Sequence, residues 1–159
     1  MNRDLAFKVR EQEFFHGLSE QWLDLIAGCA KNQVAKAGEF LFREGEKADT
    51  FYIIREGDVA LEFHAPHRAP LIIETLHVGD VLGWSWLIPP YRWHFDAVAR
   101  SRLHLLAFDG ACLRNKMASE PSLGFEMMQK FFPVVLDRLQ ATRLRLMDMY
   151  ANPNGSAVR

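Results

Sequence analysis

The sequence has little cysteine, no long hydrophobic run and no export motif. Its two cysteines, Cys29 and Cys112, lie far apart and form no Cys-x-x-Cys pair. This spacing excludes a thioredoxin-type motif, a cysteine-ligated iron–sulfur cluster and a zinc ribbon. No segment approaches the ~20 consecutive apolar residues of a membrane-spanning helix, and residues 1–10 lack the apolar stretch of an export signal. We therefore expect a cytoplasmic protein without a membrane contact.

An excess of positive charge is also absent. Lys and Arg total 19 against 20 for Asp and Glu, a net charge of −1, whereas a DNA-binding domain usually concentrates a basic excess. Of the 159 residues, 49% are apolar and 25% charged, which is typical of a globular domain that needs no disulfide or metal to hold its core. We expect one domain over residues 1–150, no direct DNA binding, and a flexible tail at 151–159.

Apolar residues at helical spacing predict two helices in the first 30 residues. Ser19 precedes such a pattern and can cap a helix over residues 19–30. A second helix is predicted over residues 5–15. Together they form an expected N-terminal helical region at residues 4–30.

The helical pattern returns near the C-terminus. Asp109 is a good N-cap for a helix over residues 110–119, and the helical pattern continues to residue 150. Proline lacks a backbone N–H and clashes with the preceding turn, so Pro133 predicts a break near Phe132. Pro121 also interrupts the pattern, so the predicted segments after it are 122–132 and 134–150.

Residues 33–109 have a different pattern, in which short apolar or alternating runs are separated by glycine and proline. Such runs predict short strands, and no gap between them is long enough for the crossover helix of a parallel sheet. An all-β sandwich, roll or barrel follows. The predicted strands are 40–42, 51–54, 59–63, 71–73, 97–99 and 103–108.

Several motifs in this zone and after it occur in a specific order. They are Gly38, residues 42–49, residues 51–59, the Gly-Asp-x-x-Gly turn at 79–83 and the helical segment 137–142. In this order they resemble the cyclic nucleotide-binding domain of bacterial catabolite regulators and protein kinase A regulatory subunits. The resemblance implies a mainly β fold with flanking helices, namely an eight-stranded antiparallel double-stranded β-roll (a cupin-like jelly roll) followed by a long C-terminal dimerisation helix.

In that family a phosphate-binding cassette follows the Gly-Asp-x-x-Gly turn, and here it corresponds to residues 83–99. A family Glu binds the ribose 2′-hydroxyl, but it falls on Trp84, whose indole only donates. The family Arg binds the cyclic phosphate, but it falls on Trp93, with Arg92 one residue early. Losing a buried hydrogen-bond partner costs about 1 to 3 kcal/mol and an unpaired phosphate more. We expect weak binding of cAMP or cGMP at most.

The resemblance also identifies the candidate ligand-binding residues. The cassette tryptophans either stack on a different flat ligand or fill the pocket as part of the hydrophobic core. Trp84 and Trp86 are expected to occupy the space where a ribose would lie. Arg92 either meets an anion or is solvated, and Thr142 matches the family position that reaches the base from the dimer helix. The candidates are Gly83, Trp84, Ser85, Trp86, Arg92, Trp93, His94 and Thr142.

Apolar residues at 4-3-4-3 spacing along the last helix predict a helix that pairs with another helix. The alternative is packing against its own β-roll, and the resemblance favours a homodimer. The interface residues are expected to be Val135, Leu139, Thr142, Leu146 and Met149.

Six histidines raise the possibility of a metal site, because cupins share the β-roll. His64 and His67 are close, but the residues between them break regular spacing, and His77, His94 and His104 are scattered. We expect no metal and no cofactor. The sequence has no nucleophile–base arrangement, HExxH or P-loop, so we also expect no enzyme.

The preferred interpretation is a regulatory module that senses a small molecule other than cAMP or cGMP, or that acts through protein contacts. Only nine residues follow Tyr150, too few for a helix-turn-helix domain. One alternative is a genuine cAMP- or cGMP-binding regulator in which Arg92 pairs with the phosphate. A second alternative is a cupin-like metal enzyme.

Overall fold

Eight antiparallel strands form two four-stranded sheets in the computed structural model, which describes residues 2–152. One sheet has the order β1-β8-β3-β6 and the other β2-β7-β4-β5. This arrangement confirms the predicted eight-stranded β-roll. The strands are β1 Ala30–Ala35, β2 Phe40–Phe42, β3 Thr50–Glu56, β4 Val59–Phe63, β5 Leu71–Leu76, β6 Val81–Leu82, β7 Asp96–Ala99 and β8 Leu103–Asp109.

Four α-helices flank the roll, two before it and two after it. Two short 3-10 turns, Glu13–Phe15 and Ser85–Leu87, add to them. Among the described helices, none combines the length and hydropathy needed to cross a membrane. The helices are α1 Arg3–Arg10, α2 Glu20–Ala27, α3 Gly110–Ser119 and α4 Pro121–Ala151.

The N-terminal helices are shorter than predicted. Ser19 caps α2 by accepting a hydrogen bond from the Trp22 N–H at 3.3 Å, but the helix ends at Ala27, because Ala30 already pairs with Phe108 in the sheet. The predicted helix over 5–15 is interrupted by extended backbone at Gln12. Strand β1 was missed because its sequence is mostly polar and its pairing with β8 is a long-range contact.

The C-terminal region differs from the prediction at Pro133, where the expected break is absent. Helix α4 continues through Pro133 to Ala151. The missing N–H leaves only the Gln129 carbonyl without its helical partner, and Gln129 is exposed to water. Phe131 and Val134 pack into the core on either side of the proline, so tertiary contacts keep the helix continuous. Most of the predicted tail, residues 153–159, lies outside the described residues.

Buried residues form two clusters on the two faces of the β1-β8-β3-β6 sheet. Successive residues of a strand point to opposite faces, and in β3 Phe51 contributes to the cluster under the helices while Tyr52 contributes to the inside of the roll. We call these clusters the helical core and the roll interior. The helices therefore cover one face, and any ligand pocket of the roll lies at the other.

A disulfide joins Cys29 to Cys112, although the sequence analysis used these residues only to exclude motifs. Cys29 follows α2, and Cys112 lies in the first turn of α3, which is capped by Asp109 as predicted, with the Cys112 N–H donating to its carboxylate at 2.9 Å. Their separation of 83 residues gave no local signal. The fold brings them together because Ala30 pairs with Phe108.

Candidate functional site

The cassette begins at Gly83, directly after β6. Gly83 has a φ of +98°, a conformation that favours glycine. A Cβ atom at this position would lie 2.8 Å from the indole ring of Trp93. Both the backbone and the close approach of Trp93 therefore require glycine here.

Trp93, the residue on which the resemblance places the family Arg, fills the roll interior. The side chain is buried and lies flat on Phe42, with ring centroids 3.7 Å apart. Leu61, Leu82 and Arg138 line the remaining space, which we call the roll pocket, and its volume is about 20 Å³. A cavity of this size holds about one water molecule.

The other two cassette tryptophans lie elsewhere. Trp86 is fully buried in the helical core, with its ring centroid 5.1 Å from that of Phe51 and 5.3 Å from that of Phe131. The expectation that Trp86 occupies the ribose space is therefore wrong, because the 3-10 turn Ser85–Leu87 directs it toward the helices. Trp84 is half-buried at the rim of the roll pocket and stacks on His94.

Ser85 and His94 lie together at this rim. The buried Ser85 hydroxyl is hydrogen-bonded to Nδ1 of the exposed His94 at 3.0 Å, a pairing that the sequence analysis did not identify. Within residues 2–152, no side chain is hydrogen-bonded to the other ring nitrogen of His94. The pair thus lacks the third, orienting group of a catalytic triad.

Arg92 is not part of the roll pocket. Its side chain is exposed, and its backbone forms a bridge with Lys47. The neighbouring Trp93 is buried, since successive residues of extended backbone point to opposite sides. The one-residue displacement seen in the sequence therefore places the Arg92 guanidinium in solvent.

A different arginine borders the roll pocket, and the sequence analysis did not select it. Arg138 of α4 is buried and donates one hydrogen bond to Glu74 at 2.7 Å and another to the Val81 carbonyl at 3.0 Å. It also lines a neighbouring cleft of about 290 Å³ that contains Glu74, Asp80 and Asp137. Arg138 continues the core-facing series Leu123, Met127, Phe131 and Val134 along α4, and this periodicity is the signal that identifies it.

Most of the C-terminal candidates are exposed on α4. The exposed Thr142 donates its hydroxyl to the Arg138 carbonyl of its own helix at 2.8 Å and lines none of the pockets described above. Val135 is half-buried, whereas Leu139, Leu146 and Met149 are exposed. The apolar stripe begins earlier than predicted, because Phe125, Met128 and Phe132 are also exposed on α4.

Three further histidines pair separately with carboxylates. His104 is 3.6 Å from Glu56, and His77 is 2.6 Å from Asp58, which raises the pKa of the His77 imidazole through their hydrogen bond. In the described part of the chain no three His, Cys, Asp or Glu side chains cluster as a metal site would require.

The remaining pair anchors the end of the cassette. The buried carboxylate of Asp96 accepts a hydrogen bond from the Glu44 N–H at 2.7 Å and lies 2.5 Å from Nδ1 of His64. It therefore connects the first residue of β7 to the turn after β2. This contact has no local sequence signal, because 52 residues separate Asp96 from Glu44.

Comparison with known proteins gives a consistent family. The model of the cyclic nucleotide-binding domain matches residues 32–120. Human cGMP-dependent protein kinase 2 is 29% identical over 126 residues, which cover 77% of this chain and 16% of the kinase. The chain spans less than a quarter of the length of each of the first curated relatives that it matches.

Solved structures share the fold. A protein from Geobacter metallireducens named for cyclic nucleotide binding is 28% identical and has a TM-score of 0.75, over 84% of this chain and 97% of that one. A cyclic nucleotide-binding domain from Methylobacillus flagellatus is 17% identical and has a TM-score of 0.73, over 98% of this chain and 85% of that one. The second similarity concerns the fold alone.

Proposed function

Since this chain belongs to the cyclic nucleotide-binding domain family, we propose that it is a regulatory module of that family whose β-roll does not bind cyclic nucleotides. The observation that carries this proposal is the stacking of Trp93 on Phe42, which leaves about 20 Å³ in the roll pocket. Small-molecule pockets usually have volumes of about 300 to 1,000 Å³. A nucleotide therefore enters only if the Trp93 indole leaves the interior.

The charges around the roll pocket support the same conclusion. A cyclic phosphate requires a cation, but Arg92 faces solvent and Arg138 is already paired with Glu74. The ribose hydroxyl requires an acceptor, and Trp84 offers only an indole N–H. Binding a cyclic nucleotide would thus require breaking the Arg138–Glu74 ion pair as well as displacing Trp93.

Helix α4 provides the output of the module in this proposal. Arg138 attaches α4 to the roll through Glu74 and Val81. Beside the face that carries Arg138, α4 exposes the apolar stripe that includes Phe132 and Leu139. A 31-residue helix is about 46 Å long, so this stripe is long enough to pair with its counterpart in a homodimer. The module then acts through protein contacts.

Calorimetric titration with cAMP and cGMP tests the proposal. We expect no saturable heat for the native chain at ligand concentrations up to about 100 µM. The Trp84→Glu/Trp93→Arg variant restores the two family anchors and removes the indole from the roll, so it should gain cAMP binding if it folds. Circular dichroism confirms folding, and the native titration stands regardless of this variant.

Binding of cAMP by the native chain with a dissociation constant of about 10 µM or tighter would overturn the proposal. The Arg92→Gln variant then identifies the mechanism. Loss of that binding in Arg92→Gln would establish the alternative in which Arg92 pairs with the phosphate, with Arg43→Gln, another exposed arginine, as the control.

A further inference from the structure

The Cys29–Cys112 disulfide lies in the wall of an open cleft with a volume of about 500 Å³. Cys29 is buried, whereas Cys112 is only partly buried. Residues on the cleft wall, among them Lys31 and Ala111, are exposed to solvent. The cleft therefore has room for a solute of the size of a small peptide next to the disulfide.

Positive charge predominates slightly in this cleft. Lys31, Lys47 and Arg114 line it together with the carboxylates Asp49 and Asp109. The Asp109 carboxylate is engaged by the Cys112 N–H, and that of Asp49 accepts a hydrogen bond from the Thr50 hydroxyl at 3.3 Å. Across residues 2–152, neither lysine takes part in an ion pair. The lysines are thus available to attract an anion.

We propose that this disulfide is a site of thiol–disulfide exchange with an anionic low-molecular-weight thiol. The thiolate of the first thiol attacks Sγ of Cys112, a new S–S bond forms, and the Cys29–Cys112 bond breaks with Cys29 leaving as a thiolate. In the mixed disulfide, the thiolate of a second thiol attacks the sulfur that came from the first thiol. This step releases Cys112 as a thiolate. Two molecules of thiol are oxidised to their disulfide, and both cysteines take up the protons that the thiols lost.

A cation also lies beside the residue that precedes Cys29. A Cβ atom built on Gly28 would lie 2.9 Å from Nζ of Lys116, so this ammonium group lies beside the residue that precedes Cys29. Lys116 is fixed there by donating to the Leu25 carbonyl at 2.5 Å. Its charge favours the negative Cys29 sulfur that the first exchange step produces.

The exchange is connected to the cassette through α3. Arg114 lies two residues after Cys112, donates a hydrogen bond to the Trp86 carbonyl at 2.6 Å and covers the ring of Tyr91 at 4.2 Å. Opening the disulfide removes the covalent link between Cys29 and the first turn of α3, which leaves only the hydrogen bond from the Asp109 N–H to the Cys29 carbonyl at 2.9 Å between them, and thereby loosens Arg114 on the cassette. This inference goes beyond the proposed function, since it does not depend on what the roll pocket binds.

Reduction kinetics of the native chain test the site. The oxidised protein is treated without denaturant with glutathione, which is anionic, or with neutral 2-mercaptoethanol, at equal thiolate concentrations, and alkylated samples are analysed by mass spectrometry. We expect glutathione to react about threefold faster or more at low salt, with the difference shrinking as salt screens the lysines. Peptide mapping should place the glutathione on Cys112.

Charge variants test whether the cleft lysines cause the preference for glutathione, as distinct from the general reactivity of the disulfide. The Lys31→Gln/Lys47→Gln variant should lose the preference for glutathione, whereas Lys36→Gln, which changes an exposed lysine beyond the far end of β1, should retain it. Hydrogen exchange of residues 84–91 should be faster in the reduced chain than in the oxidised chain. These three side chains are exposed, so the variants do not disturb the core.

Four results would overturn the proposal. They are free thiols in protein equilibrated with oxidised glutathione, a disulfide that is reduced only in denaturant, equal rates with the two thiols, and unchanged hydrogen exchange in the cassette. Each concerns the cysteines or α3 rather than the roll pocket. Failure of the exchange proposal is therefore distinguishable from failure of the proposed function, which would appear as nucleotide binding in the calorimetric experiment.

Discussion

The indole of Trp93 and the phenyl ring of Phe42 lie face to face, 3.7 Å apart between centroids and 7° from parallel. This contact joins the cassette to β2 across the inside of the roll. It uses the interior volume that a ligand would need. The ring also lies so close to Gly83 that no Cβ atom would fit between them.

Removing this indole should create a cavity in the roll interior. We expect Trp93→Ala to lower the free energy of unfolding by about 3 to 5 kcal/mol, as measured by urea denaturation. Trp84→Ala is the matched control and should cost less, because Trp84 is half-buried at the rim. Free indole should raise the melting temperature of Trp93→Ala and leave that of the native chain unchanged. Equal costs for the two variants would contradict the assignment of Trp93 to the core.

The Arg138–Glu74 ion pair should hold α4 on the roll. Arg138→Gln removes a nearly buried cation and leaves Glu74, whose side chain is 30% exposed, without its partner. We expect a loss of about 1 to 3 kcal/mol in unfolding free energy, below the range for fully buried pairs. Arg145→Gln breaks the exposed pair with Asp148 and should cost less than about 0.5 kcal/mol. A double-mutant cycle with Glu74→Gln measures the coupling, and a coupling near zero would show that the pair does not stabilise the attachment.

The apolar stripe of α4 should mediate self-association. Leu139 is 64% exposed, and Leu139→Glu would bury a charge in the proposed dimer, so we expect this variant to be monomeric by size-exclusion chromatography with light scattering. Gln140→Glu adds the same charge one residue outside the 4-3 repeat and should remain dimeric. A native chain that is monomeric at about 100 µM would exclude a stable dimer.

Stability should depend on pH through His77 and Asp58. Their hydrogen bond raises the pKa of His77 above its ordinary value of 6.5, so the folded chain binds the proton more tightly than the unfolded chain. The resulting stabilisation is complete below pH 6.5 and is lost as the pH rises through the raised pKa. Denaturation of the native chain and His77→Asn at several pH values should show a difference that decreases toward alkaline pH. In an Asp58→Asn background the effect of His77→Asn should no longer vary in this way.

Local sequence patterns determined most of the strands, the N-caps and the family. The six predicted strands all occur, because alternating apolar residues report which face of a strand is buried. Ser19 and Asp109 cap their helices as predicted, since capping depends on residues within one turn. The glycines at turns have positive φ for an equally local reason.

Tertiary contacts decided the rest. Polar β1 exists because β8 supplies its hydrogen bonds, and α4 passes Pro133 because both flanking turns pack into one core. Trp93 enters the roll while Trp86 leaves it, and Arg138 and the two cysteines meet partners far away in the chain. Residue type alone determines what a side chain can bind, but only the folded backbone determines which side it faces and which distant residue it contacts.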